Sequence, residues 1–189
     1  MSILDGVFSN KKAMEDAMSF AQNMTREAMP HLDAKTRHII ELTSDGSSLG
    51  DALGITKDQK AALLDMGCRL LQVGETDKAI DVLMRLNQLD PLEERAYYAL
   101  GVACQTRGEL QKAAHMYLQF LALDATNPAG YLRLGECLMA AREYSDAYVA
   151  FEAARNFAQE GAGDPEALQE ALAMLAIPEV AAAGKPSKS

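Results

Sequence analysis

The chain has 189 residues, of which 49% are hydrophobic but only 6% aromatic, with no Trp; 18 basic against 27 acidic side chains leave a net charge of −9. Ala, Leu and Met are abundant and β-branched residues sparse, which favours an all-helical protein. The acidic balance argues against a phosphate-binding surface, and no apolar run approaches the roughly 20 residues of a membrane-spanning helix.

The N-terminal stretch "MSILDGVFSNKKAMEDAM" carries Asp5 early and no continuous apolar segment, so it is not expected to act as a secretory signal. Residues 11–29 predict an amphipathic helix with Met14, Met18, Ala21, Met24 or Thr25, and Ala28 on one side, stopped by Pro30. Met14, Met18 and Met24 are candidate dimer contacts; Met is also a flexible core filler, so core contact is the other reading of Met14 and Met18. Asp33 is a candidate start for a second helix through "AKTRHIIEL", and "TSDGSSLGDALG" reads as a loop with a short helical turn at 49–53. Residues 1–55 form an N-terminal helical region without repeats.

A repeat begins at residue 56. Gly67, Gly101 and Gly135 stand 34 residues apart, and the same step relates Ala79, Ala113 and Ala147, then Leu83, Tyr117 and Phe151, then Met66, Leu100 and Leu134, then Leu63, Tyr97 and Tyr131. Such columns of large and small residues resemble the tetratricopeptide repeat, a pair of antiparallel helices. The small residues allow close helix approach, and the large ones at 83, 117 and 151 fill the space beside them. The expected fold is all-α: three tandem repeats over 56–160 (about 60–93, 94–127 and 128–160) forming a short superhelix. Helices are predicted at 57–72, 76–88, 91–106, 110–122, 128–141 and 145–159. Thr56 with Gln59 and Asp90 with Pro91 and Glu93 have capping patterns, Asn127 precedes Pro128, and Gly74 and Gly108 mark turns within repeats. Arg142 holds the third such turn. Asp164 and Pro165 begin a capping helix over 164–176, with Ala167, Leu168, Ala171, Leu172 and Leu175 on one face, within a segment 161–177; residues 178–189 read as a disordered tail.

Each first helix carries two apolar stripes. In "LLDMGCRLLQVG", Leu63, Met66 and Leu70 form the stripe facing the second helix, while Leu64, Cys68 and Leu71 lie about 100° round. Copied forward, the second stripe gives Tyr98, Val102 and Gln105, then Leu132, Glu136 and Met139. Seven of these nine are apolar or aromatic. First helices line the inner surface of such a superhelix, so this stripe implies a groove, covered either by the protein's own terminal helices or by an extended or helical peptide with spaced apolar side chains. Three buried anchors at about 1.5–3 kcal/mol each give about 5–9 kcal/mol before association costs, hence micromolar binding or weaker. Met139 is the methionine assigned to contact with such a peptide.

The segment 48–176, above all "LGVACQTRGEL" and "GECLMAAREYSDA", resembles the class II chaperones of bacterial type III secretion systems. The resemblance implies a small acidic cytoplasmic protein that holds two hydrophobic translocators soluble and apart before export. It also implies that a short proline-flanked client segment lies in the groove, and that the chaperone forms a homodimer, commonly through N-terminal helices. Where that family commonly has aromatics in the first triplet, this chain has Leu64, Cys68 and Leu71. The alternative is a generic repeat scaffold for soluble partners. An enzyme is not expected: His31, His38 and His115 are not spaced with acids or cysteines in a metal or nucleophile pattern, no phosphate loop is present, and no metal or cofactor site emerges. Glu136 more plausibly meets a client main-chain amide or basic side chain than acts as an acid. Cys68, Cys104 and Cys137 lack paired spacing and read as reduced thiols of a cytosolic core.

Overall fold

A computed structural model describes residues 47–184, together with positions 30, 33, 34, 36, 37 and 40. The helix expected at 11–29, with Met14, Met18 and Met24, lies outside the described residues. Asp33 does cap a turn: its Oδ1 accepts from the Thr36 backbone N–H (3.0 Å) and its Oδ2 from the Thr36 hydroxyl (2.6 Å).

The described chain is helical: α1 (Leu49–Ala52), α2 (Lys57–Gln72), α3 (Thr76–Leu89), α4 (Glu94–Thr106), α5 (Leu110–Leu123), α6 (Pro128–Ala140), α7 (Tyr144–Gln159), α8 (Ala167–Leu175) and α9 (Pro178–Ala183). Capping boxes start α1 (Ser48 with Asp51) and α2 (Thr56 with Gln59), and the Asn127 side chain accepts from Ala129 N–H at the head of α6.

Pairs α2/α3, α4/α5 and α6/α7 pack as hairpins, and each pair packs on the next. Inside every pair the turn closes in the same way. The N–H of Gly74, Gly108 and Arg142 reaches the carbonyl three residues back, and the following Glu75, Glu109 and Glu143 N–H groups reach five back. That geometry needs a left-handed residue, so Gly74 and Gly108 sit at φ 80° and 73°, and Arg142 is forced to φ 63°.

The repeated glycines are explained by contact. A Cβ on Gly67 would lie 2.6 Å from Leu83, one on Gly101 2.5 Å from Tyr117, and one on Gly135 2.5 Å from Phe151. Ala79, Ala113 and Ala147 are fully buried, as are Leu83, Tyr117 and Phe151.

Three expectations are corrected. Helix α4 begins at Glu94, not 91: the Asp90 side chain accepts from Leu92 N–H and its carbonyl from Glu93 N–H, so 90–93 is a separate turn. The stripe Leu63, Met66, Leu70 is not core in the first repeat: Met66 is 52% exposed and Leu70 half-buried, whereas their equivalents Leu100, Leu134, Cys104 and Leu138 are buried, and Leu63 is half-buried like its equivalents Tyr97 and Tyr131. Among the described residues the second and third repeats each have a preceding hairpin packed against their first helix, and the first repeat has none. Lastly, the stretch read as a disordered tail forms α9 over 178–183. Pro178 occupies its first turn, and fully buried Val180 joins the core beneath α7. The cap of the stack is thus α8 plus α9, and α8 starts at Ala167 behind a turn in which Asp164 Oδ1 accepts from Glu166 N–H.

Lys60 is buried, at 6% exposed. Its Nζ donates to Ser48 Oγ (2.9 Å), Asp51 Oδ1 (2.7 Å) and Asp90 Oδ2 (2.9 Å), joining α1, α2 and the turn before α4. Burial works against the ammonium, but the hydrogen bonds to Asp51 and Asp90 prevail and its pKa rises. Asp51 is held down at about 2, chiefly by its bonds to Lys60 and Ser48.

Candidate peptide-binding groove

The first helices α2 and α4 are in contact, and side chains of the second and third predicted triplets bridge α4 and α6. Leu64 packs with Ala96 and Ala99 of α4, and Gln105 Nε2 of α4 donates to Glu136 Oε2 of α6 at 2.9 Å. Cys68, Leu71, Tyr98, Val102, Gln105, Glu136 and Met139 are half-buried. Leu64 and Leu132 differ: at 8% and 3% exposed they belong to the two core clusters and present little surface to a ligand. An alternating stripe can be copied by arithmetic, but neighbouring helices decide how deep each position sinks.

The aromatic member is firmly seated. Tyr98 lies edge-on to Tyr117 (centroids 5.7 Å) and Phe120 (5.3 Å), and its hydroxyl accepts from Arg133 Nε at 3.3 Å. Arg133, which the periodicity did not place in the groove, also donates from Nη1 to Glu136 Oε2 at 3.0 Å. Its pKa is raised, first by the hydrogen bond to Tyr98, with Glu136 adding to it. Tyr117 donates from its hydroxyl to Gln105 Oε1 at 2.8 Å, and burial pushes its pKa up.

The cysteines follow their burial. Cys137 is pushed up to about 12, and Cys104 and Cys68 are raised, in each case mainly by desolvation, so all three are thiols at neutral pH. Cys68 alone of them is half-exposed. Among the described residues no cluster of His, Cys, Asp or Glu could hold a metal ion, and no helix is long and apolar enough to cross a membrane. His115 is exposed and lines an apolar pocket of about 440 Å³ between α3 and α5, floored by Ile80, Leu100 and Met116, which the sequence did not suggest.

The described residues form a tetratricopeptide-type helical repeat in which Cys68, Leu71, Tyr98, Val102 and Met139 of the first helices are half-buried. Its neighbours among solved structures are type III secretion translocator chaperones. A type III secretion complex from Aeromonas hydrophila superposes with a TM-score of 0.68 at 23% identity, covering 77% of this chain and 93% of that one. The translocator chaperone SycD of Yersinia enterocolitica gives 0.63 at 21%, covering 72% and 98%. PcrH in complex with the chaperone-binding region of PopB gives 0.61 at 26%, covering 65% and 98%. Another SycD structure holds a peptide of the translocator YopD, and a further one is an alternative dimer. No family model matches the sequence, and no curated protein matches it.

Proposed function

We propose that this protein is a cytoplasmic chaperone of a type III secretion system, a homodimer and not an enzyme, that binds hydrophobic translocators and keeps them soluble and apart before export. The observation that carries the reading is the wall of α2, α4 and α6: seven of nine predicted lining residues remain half-exposed there, in a fold whose solved neighbours hold translocator segments. An extended segment laid along that wall would cover Leu71, Val102 and Met139 with its own apolar side chains.

The test is co-expression with a membrane-inserting translocator of the same secretion system. Soluble co-purification is the expected result. A translocator that stays insoluble, alongside capture only of partners without membrane-type segments, would favour a general repeat scaffold and overturn the proposal.

A further inference from the structure

The groove wall contains one polar island, where α4 meets α6, which apolar contact alone leaves unused. Arg133 Nε donates to the Tyr98 hydroxyl at 3.3 Å, and Nη1 donates to Glu136 Oε1 and Oε2 at 3.3 and 3.0 Å. Glu136 Oε2 also accepts from Gln105 Nε2, whose partner oxygen Oε1 is occupied by the Tyr117 hydroxyl.

The network has a direction. Its acceptors are engaged: Gln105 Oε1 by one bond and the Glu136 carboxylate by three. Its spare groups are donors. Arg133 Nη2 has no partner among the described residues, and the Tyr98 hydroxyl, having accepted from Nε, retains a hydrogen to give. Both side chains are partly exposed, and they sit one helical turn from Val102 and from the Glu136–Met139 stripe.

Charge narrows the ligand. Glu136 at 3.0 Å neutralises the guanidinium, so the island offers N–H and O–H donors with little net charge. A carboxylate arriving there would be repelled by the charge of Glu136, whereas a neutral carbonyl carries no net charge to be repelled. An extended peptide carries one carbonyl per residue, and each one buried without a donor is costly.

We propose that Arg133, together with Tyr98, donates hydrogen bonds to a main-chain carbonyl of the extended peptide held on this wall, fixing where along the wall the peptide sits. The inference rests on the peptide-groove reading above. Arg133 is thereby a contact independent of the peptide's side chains.

The experiment is calorimetric titration of the full chain with a synthetic peptide spanning the chaperone-binding region of PopB, and with a series of the same peptide in which single amides are replaced by esters, whose carbonyls are weaker acceptors. Arg133→Met is expected to weaken binding roughly tenfold. Arg133→Lys, which keeps the charge opposite Glu136 but loses the second N–H pair, is expected to fall between. One ester position is expected to weaken binding to the unaltered chain and to make no further difference to Arg133→Met. A purely supporting role for Arg133 would lower the melting temperature and weaken every peptide equally, with no coupled ester position, and that outcome overturns the inference. So does undiminished binding by both Arg133 variants while Val102→Asp abolishes it, a result that leaves the groove itself intact. If the unaltered chain leaves the peptide unbound, the groove reading is overturned and this inference with it.

Discussion

Lys60 Nζ lies 2.9 Å from Asp90 Oδ2, a bond between residues 30 positions apart that fastens the first helix of the first repeat to the entrance of the second. Because Lys60 is buried while Asp51 and Asp90 retain contact with solvent, replacing the lysine costs less than stranding a buried charge. Lys60→Met is expected to destabilise the fold by about 2 kcal/mol in urea denaturation, below the range of about 3–5 kcal/mol for a buried pair that leaves a charge stranded. An unchanged midpoint would show that the triad contributes nothing net.

The same triad sets an acid dependence. Asp51 is lowered from 3.8 to about 2 in the folded protein, so its contribution is complete above about pH 4 and disappears as the pH falls through 2. Asp51→Asn is expected to flatten the stability profile in that window and to leave its shape near neutrality unaltered. Stability measured against pH for the two proteins checks this.

Close packing between paired helices gives a second stability prediction. Gly135→Ala places a methyl 2.5 Å from the Phe151 ring and is expected to cost about 1–3 kcal/mol. Trimming the ring in Gly135→Ala/Phe151→Leu is expected to recover part of that loss, so that the double variant is more stable than the sum of the singles allows. Additive losses would mean that the glycine serves some purpose other than helix contact.

At Arg142 the structure predicts a gain. The residue occupies the left-handed turn position that Gly74 and Gly108 fill in the other repeats. Arg142→Gly is expected to raise stability by about 1 kcal/mol; a loss would mean that side-chain contacts at 142 outweigh the backbone strain.

Groove residues divide by what else they support. Tyr98 packs on Tyr117 and Phe120 as well as facing the wall, so Tyr98→Glu would damage fold and binding together. Val102→Asp and Met139→Glu touch less of the core and are expected to abolish co-purification of a translocator while leaving the helical circular dichroism signal intact. A bound client is also expected to slow alkylation of half-exposed Cys68 at alkaline pH, with Cys104 and Cys137, both buried, unreactive in either state. Equal labelling of Cys68 with and without client would place the client elsewhere.

Much of this architecture was legible from the spacing of Gly67, Gly101 and Gly135, because a helix contact that excludes a Cβ leaves its mark in every copy. Helix boundaries followed from Thr56, Asn127, Gly74 and Gly108 for the same reason: a local backbone requirement restricts the residue type. What copying could not convey was position within the stack. Met66 looks equivalent to Leu100 and Leu134 but is exposed where they are buried, and Leu64 and Leu132 sink further than Tyr98. Lys60 was invisible because burial of a lysine depends on three partners brought from 9, 12 and 30 residues away. The helix 178–183 was missed because its anchorage comes from one side chain, Val180, in an otherwise alanine-rich segment.

The Lys60 fastening also bears on how modules find their proper order. In a chain of similar hairpins the hazard is assembly one unit out of step. The residues 34 and 68 places after Lys60 are Glu94 and Pro128. A slipped stack would therefore offer Asp90 either a like charge or a ring with no charge at all, and only the native order supplies an ammonium. One buried lysine thus labels the first module as first, a distinction that the shared glycines and alanines cannot make.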